Sequence, residues 1–142
     1  MKVQTILKNK KKLLISINGS TTVFDALKLM GEYNIGALLI IEDEKLLGIF
    51  SERDYARKIA LKGKNSHESL VSEIMTTEVF TIGLEDSLEK CMEMMRDKHI
   101  RHLPVVENNK AVGMISIGDV VNAIIEAQKA TINHLETYIR NS

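Results

Sequence analysis

The sequence predicts an α+β fold made of two tandem β-α-β-β-α units, packed sheet to sheet with pseudo-two-fold symmetry. The first observation is a repeat, because residues Ile17–Lys64 align with Ile82–Lys129 without a gap at an offset of 65. The second is that both copies alternate helix-like and strand-like hydrophobic periods in the same order. The third is that each copy has apolar strand runs that one half could not cover alone, so a second sheet is needed.

The repeat is most informative at the end of each unit, where a strand gives way to a helix. There a glycine, a serine and an aspartate recur at the same spacing, as Gly48, Ser51 and Asp54, and as Gly113, Ser116 and Asp119. Further upstream, residues 3–7 resemble residues 71–75 at an offset of 68, so three extra residues lie in the Lys8–Lys12 stretch. We therefore divide the chain into residues 1–64 (unit 1), 65–129 (linker and unit 2) and 130–142 (a C-terminal helical tail).

Each unit has one strand before its first helix and a hairpin after it. In unit 1 the expected strands are Leu14–Ile17, Gly36–Ile41 and Leu46–Phe50. In unit 2 they are Val79–Ile82, His102–Val106 and Ala111–Ile115. Thr22 is the expected cap of the first helix in unit 1, and Asp86 or Ser87 that of its counterpart. The polar stretch between the units, Lys62–Ser69, reads as a flexible linker.

Composition excludes several classes of function. The formal net charge is zero, so general attraction to nucleic acid or to an anionic membrane is not expected. The single cysteine, Cys91, cannot form an internal disulfide, and no apolar run is long enough to span a bilayer or act as a signal peptide. The expected location is cytoplasmic. No nucleophile elbow, P-loop, dinucleotide fingerprint or metal-ligand set is present, so neither an enzyme nor a metal site is expected.

We call the two strand-to-helix junctions, Gly48–Asp54 and Gly113–Asp119, the first and the second corner. The Ser-x-x-Asp spacing that each corner contains allows two interpretations. Ser51 with Asp54, and Ser116 with Asp119, have the form of a capping box, which needs no ligand. The same hydroxyl and carboxylate, beside the free N–H groups of a helix turn, could also bind a polar ligand.

The residues resemble a tandem pair of cystathionine-β-synthase (CBS) domains, a Bateman module, of the stand-alone bacterial signal-transduction type. The resemblance covers Val3 to about Gln128 and is carried by the two corners, Gly48–Asp54 and Gly113–Asp119, and by residues 71–76 and 100–105. It implies a regulatory module without catalytic activity that binds an adenosine-containing ligand: AMP, ADP, ATP, NAD(H) or S-adenosylmethionine. It also implies a disc-shaped homodimer that regulates another protein.

The resemblance assigns roles to particular residues. Asp54 and Asp119, helped by Ser51 and Ser116, are expected to bind ribose, because a carboxylate accepts both protons of a vicinal diol. The adenine slot is expected between the first strand of a unit and the strand that enters its hairpin. This gives Ile15, Ile17, Gly36, Ala37 and Leu38 in the first half, and Val79, Phe80, His102, Leu103 and Pro104 in the second.

Phosphate contacts are expected to differ between the halves. Arg53 and Arg57 lie four residues apart on one helix face with Lys58 beside them, whereas the matching positions in unit 2 are Gly118, Asn122 and Ala123. The expected phosphate residues are Arg53, Arg57, Lys58, Arg101 and Gly118. A solvated basic face remains an equally simple explanation of the first cluster.

Two further expectations concern surfaces. The apolar faces with Val121, Ile124 and Ile125, and with Tyr55 and Ile59, suit a homodimer interface. The basic Lys8–Lys12 stretch reads best as a solvated loop.

The alternative to a ligand sensor is a ligand-independent interaction adaptor whose nucleotide sites are vestigial.

Overall fold

Each half of the chain carries a small sheet with helices against it in a computed structural model that describes residues 1–10 and 14–141. The helices are α1 (Val3–Lys10), α2 (Val23–Tyr33), α3 (Glu52–Tyr55), α4 (Val71–Ile74), α5 (Leu88–Lys98) and α6 (Ile117–Arg140), and a π-helical turn at Ala56–Ala60 continues α3. The strands are β1 (Ser16–Ile17), β2 (Ala37–Glu42), β3 (Lys45–Ser51), β4 (His102–Glu107) and β5 (Lys110–Ser116). This mixed architecture confirms the predicted fold class.

The two hairpins have the same geometry. Strands β2 and β3 pair antiparallel, as do β4 and β5, and the hairpins align Ala37 with Ser51 and His102 with Ser116. Both tight turns hold two residues with positive φ, at 43–44 and at 108–109, as two-residue hairpins require. The hairpins therefore deliver Ser51 and Ser116 to equivalent places at the strand ends.

The predicted strand at Val79–Ile82 is wrong. Among the described residues, this stretch makes only an isolated parallel bridge between Ile82 and Val105. The chain turns directly after Ile82, because the Asp86 carboxylate accepts a 2.7 Å hydrogen bond from the Gly83 N–H. Val79 and Phe80 consequently stay outside the sheet. In unit 1, β1 does pair in parallel with β2, although over two residues only.

The first helix of each half packs into the core of the other half. Val3 and Ile6 of α1 lie in a buried cluster with Leu88 and Cys91, and Val71 and Ile74 of α4 lie in the corresponding cluster of the first half. Backbone hydrogen bonds secure both crossings, from Leu88 N–H to Met1 O and from Val71 N–H to Thr21 O. The two halves are thus interlocked.

The helix caps follow the sequence closely. Thr22 accepts from the Asp25 N–H and Ser87 from the Lys90 N–H, so Ser87 rather than Asp86 caps α5. The segment between the units also touches α2, since Ser66 O and Ser69 O accept the N–H groups of Phe24 and Val23.

The basic stretch near the N-terminus differs from its prediction. Residues 8–10 are the last turn of α1 rather than a loop, while Lys11 and Lys12 lie outside the described residues. The reason is that Lys10 is not solvated: its ammonium group is bound inside the protein, as described below.

A third, smaller core joins the two sheets. It consists of Ala37 and Leu39 of β2 and Met114 of β5. Within residues 1–10 and 14–141, no helix is long and apolar enough to cross a membrane.

Candidate functional site

A cleft of about 830 Å³ opens beside the first Ser-x-x-Asp corner. The end of β3 and the start of α3 form one wall, with Ser51, Arg53 and Asp54. Thr76, residues 78–80 and residues 100–102 of the second half form the opposite wall. The cleft lies between the halves, and its volume is within the range of about 300–1,000 Å³ typical of small-molecule sites.

Both corners contain a complete capping box. Ser51 N–H donates to Asp54 Oδ2 at 3.0 Å, and Asp54 N–H donates to Ser51 Oγ at 3.2 Å. The corresponding distances between Ser116 and Asp119 are 2.8 and 3.1 Å. Capping therefore accounts for one oxygen of each carboxylate and leaves the other oxygen to be explained.

Asp54 uses its second oxygen to contact two further side chains. Its Oδ1 atom accepts a 3.0 Å hydrogen bond from Thr76 Oγ1 and pairs with Lys58 Nζ at 3.0 Å. Asp54 is buried with 6% of its surface exposed, whereas the Lys58 side chain is 38% exposed. A ligand diol could reach Asp54 Oδ1 by displacing Lys58, the partner that is more open to solvent.

The predicted cations occupy different places. Arg53, Arg57 and Arg101 line the cleft, although Arg53 Nη1 also donates to His99 O at 2.7 Å. Lys58 is turned toward Asp54 and the Ile74 carbonyl, and Gly118 belongs to the second corner. Two carboxylates that the sequence did not assign, Glu52 and Glu78, face the same space.

The predicted adenine residues separate into two groups. Gly36, Val79, Phe80 and His102 line the cleft, so residues of both halves meet at Asp54. The others pack in or against the cores: Ile17, Ala37, Leu38, Leu103 and Pro104 are buried, and Ile15 is partly buried.

His102 sits between the two corners. A Cβ on Gly36 would lie 3.2 Å from His102 Nε2, so the glycine allows the imidazole to approach the β2 backbone. Burial lowers the pKa of His102 to about 4, and the positive charges of Lys10, Arg101 and Arg53 act in the same direction, against Asp119. His102 is therefore neutral at physiological pH, and its ring can accept as well as donate a hydrogen bond.

The second corner is arranged differently. Lys10 Nζ lies 2.8 Å from Asp119 Oδ2 and donates to the Met114 carbonyl at 2.8 Å. The cavity that reaches Asp119 and Lys10 has a volume of about 180 Å³. The two corners that the sequence repeats are thus not equivalent in space.

Sequence reasoning did not assign Thr76, Glu78 or Lys10 to a site. Thr76 is the last residue of the 71–76 motif, which is part of the family resemblance, but the sequence alone assigned Thr76 no role in a site. Lys10 lay in a basic run, and nothing in a single sequence indicates which lysine of a run turns inward.

The chain is similar to known proteins with CBS domains. A family model described as "CBS domain" matches residues 11–61 and 71–126. The mitochondrial CBS domain-containing protein CBSX3 of Arabidopsis thaliana is 37% identical over 150 residues, covering 97% of this chain and 71% of the relative. The crystal structure of a signal-transduction protein with CBS domains from Burkholderia ambifaria is 40% identical with a TM-score of 0.85, covering 90% and 96% of the two chains.

A more distant structure shares the fold. The CBS domain protein PAE2072 of Pyrobaculum aerophilum, solved in complex with AMP, is 22% identical with a TM-score of 0.74, covering 84% of this chain and 89% of that protein.

Proposed function

The chain belongs to the CBS-domain family, and we propose that it is a regulatory sensor in which an adenosine-containing ligand (AMP, ADP, ATP or NAD(H)) binds at the Asp54 cleft. Binding alters the conformation or rigidity of the module and thereby the activity of another protein. A ligand can do this only if it binds two conformations unequally. No catalytic step is part of the proposal.

The observation that carries the proposal is the cleft between the halves. It combines a carboxylate and a hydroxyl at a helix start, guanidinium groups, and apolar side chains within one space of about 830 Å³. An adenine nucleotide presents the complementary groups, namely a ribose diol, phosphate and a flat base. The AMP complex of the archaeal protein supports this choice at the level of the fold only.

We assign the groups as follows. Asp54 and Ser51 bind the ribose, and the Arg57 and Arg101 guanidinium groups bind phosphate. Val79, Phe80 and the neutral His102 contact the base. Phe80 is 39% exposed although it is large and apolar, and covering its ring by a base would remove that surface from water.

A thermal-shift panel of AMP, ADP, ATP, NAD, NADH and S-adenosylmethionine tests the proposal. A ligand at about 100 times its dissociation constant adds about 2.7 kcal/mol of apparent stability. We expect a positive shift with at least one of these ligands, loss of that shift in Asp54→Asn, and its retention in Asp119→Asn. The second variant is a matched control, because it alters the same capping box at the other corner.

The alternative function makes the opposite prediction. If the sites are vestigial and the protein is a ligand-independent adaptor, none of the six ligands will shift the melting temperature of the wild-type protein. That result would overturn the sensor proposal and favour the adaptor.

We also propose that the protein is a homodimer that associates through α6. Along this helix Val121, Ile125, Ile132 and Leu135 are each at least 42% exposed. With Gln128 they recur at alternating intervals of four and three residues, which is the period of a two-stranded coiled-coil seam. Lys129 and Glu136 are seven residues apart on one flank of this seam and supply opposite charges for pairing with a second copy.

Sedimentation equilibrium at micromolar concentration tests the dimer. We expect a dimeric mass for the wild-type protein and a monomeric mass for the double variant Ile132→Glu/Leu135→Glu. His134→Glu places the same charge on the same exposed helix but off the seam, and it should remain dimeric. A monomeric wild-type protein would refute this part of the proposal.

The proposed location is the cytoplasm. Cys91 is free and buried, and burial raises the pKa of its thiol, so it is an unreactive thiol compatible with a reducing compartment. Immunodetection in soluble and membrane fractions of the source cell, with compartment markers, checks this location, and recovery in any other compartment would contradict it.

A further inference from the structure

The two corners are held by different groups at equivalent positions. At the first corner Thr76 supplies both contacts: its backbone N–H donates to Ile49 O at 2.9 Å and its hydroxyl to Asp54 Oδ1 at 3.0 Å. The residues that correspond to Ile49 and Asp54 at the second corner are Met114 and Asp119.

Lys10 contacts both of these residues at the second corner, although it binds the carboxylate oxygen that also accepts the Ser116 N–H rather than the other one. Its ammonium group donates to Met114 O and pairs with Asp119 Oδ2, both at 2.8 Å. The single ammonium group of Lys10 thus takes the place of two donors of Thr76, its backbone N–H and its hydroxyl.

The Lys10 contact is buried and anchored. The Lys10 and Asp119 side chains are only 14% and 17% exposed. Helix α1 is fixed in the core of the second half by Val3 and Ile6, and Leu7 lies against Gly113, where an added Cβ would come within 2.9 Å of it. Lys10 is therefore held at Asp119 by the packing of its whole helix.

The space beside Asp119 is correspondingly small. About 180 Å³ is available there, below the roughly 300 Å³ at which small-molecule sites usually begin. The cleft at the first corner, by contrast, is about 830 Å³.

We infer that Lys10 is a built-in cation that closes the second corner, so that each chain accepts one adenosine-containing ligand, at the Asp54 cleft. The inference rests on the proposed function and names the residue that decides between the two corners. Lys10 already holds Asp119 Oδ2. A ribose diol that binds both carboxylate oxygens could therefore do so only by leaving a buried ammonium group without its carboxylate partner.

Isothermal titration calorimetry with AMP, and separately with ATP, tests the inference. We expect one molecule bound per wild-type chain and two in Lys10→Met, which removes the charge but keeps the apolar stem. Lys8→Met is the matched control, because Lys8 is exposed on the same helix, and it should bind one molecule. The double variant Lys10→Met/Asp119→Asn should return to one.

A second test does not depend on Lys10→Met, which could be less stable than the wild-type protein. In an otherwise wild-type chain, Asp119→Asn should change the dissociation constant less than about twofold, whereas Asp54→Asn should raise it at least about tenfold.

The outcomes separate this inference from the proposed function. Two molecules per wild-type chain, or weakened binding in Asp119→Asn, would overturn the role of Lys10 and leave the sensor function standing. Binding by Lys10→Met but not by the wild-type protein would support closure by Lys10 and overturn the Asp54 cleft as the site. No binding by either protein would overturn both.

A readout without nucleotide uses acetylation of lysines followed by mass spectrometry. Lys10 should react at least about tenfold more slowly than Lys8, because reaction requires the buried contact to open, and Asp119→Asn should remove most of the difference. Equal rates in the wild-type protein would overturn the inference.

Discussion

Thr76 Oγ1 donates a 3.0 Å hydrogen bond to Asp54 Oδ1, which ties the segment after α4 to the carboxylate at the start of α3. The backbone of the same residue pairs with Ile49 in both directions, at 2.9 and 3.0 Å. One residue of the second half thereby fixes both the strand and the acid of the proposed ribose site.

Thr76→Val should weaken that site while keeping its shape. The variant removes the hydroxyl, so we expect a loss of about 0.5–1.5 kcal/mol in the free energy of unfolding and a weaker affinity for AMP. Urea denaturation and calorimetry measure the two effects. The exposed neighbour Thr77→Val is the control and should change neither quantity. Unchanged affinity in Thr76→Val would show that this contact does not position Asp54 for binding.

The two corner glycines should differ in their response to alanine. A Cβ at Gly48 would lie 2.8 Å from the Thr76 carbonyl oxygen, whereas a Cβ at Gly113 would meet only the end of the Leu7 side chain. A backbone atom cannot rotate away, so Gly48→Ala should cost about 1–3 kcal/mol and Gly113→Ala less. Urea midpoints of the two variants compare them directly, and a larger loss in Gly113→Ala would contradict the packing described.

His102 should make stability depend on pH in a defined window. Its pKa is about 4 in the folded protein against 6.5 for the free side chain, so between these values the unfolded chain binds more protons. The stabilisation is complete above pH 6.5 and decreases as the pH falls toward 4, by up to about 3 kcal/mol. The charged groups that face His102 are Lys10, Arg101, Arg53 and Asp119.

Urea denaturation between pH 4 and 7.5 measures this dependence. Carboxylates titrate at the lower end of the range, so the diagnostic quantity is the difference between the wild-type protein and His102→Gln, which should lack the His102 contribution. The exposed His134→Gln should behave as the wild-type protein does. Identical pH profiles for the wild-type protein and His102→Gln would show that His102 is not held neutral.

Arg57 should distinguish phosphorylated ligands from the nucleoside. It lines the cleft, and the corresponding residue at the second corner is Asn122. A guanidinium–phosphate contact is charge-assisted, so Arg57→Ala should raise the dissociation constants of AMP and ATP about tenfold or more and leave adenosine unchanged. Lys62→Ala removes an exposed positive charge five residues further along the chain and serves as the control. Equal losses for adenosine and AMP would assign Arg57 a structural role instead.

Much of the fold could be predicted because the sequence repeats, so a helix or strand predicted in one half could be checked against the matching residues of the other half. The helix caps at Thr22, Ser51 and Ser116 could be predicted because each depends only on a hydrogen bond to a residue three positions further along the chain. The strand predicted at Val79–Ile82 does not form, because the chain turns where the Gly83 N–H donates to the Asp86 carboxylate. This turn competes with strand pairing, and hydrophobic periodicity does not reveal it.

The site was less predictable because the chain crosses between its halves. Ser51 and Asp54 follow from the capping pattern, but Thr76, Val79 and Phe80 reach them from the other unit. Assigning the adenine residues half by half could not anticipate this arrangement. The inward turn of Lys10 depends on the burial of Asp119 against α1, a tertiary contact without a local signature.

A crystal structure of the protein grown with AMP tests the central claim most directly. The account predicts one nucleotide per chain in the cleft between the halves, with its ribose at Asp54 and its phosphate at Arg57 and Arg101, while Lys10 remains on Asp119. AMP bound at Asp119 with Lys10 displaced, or a cleft that stays empty at saturating AMP, would contradict it.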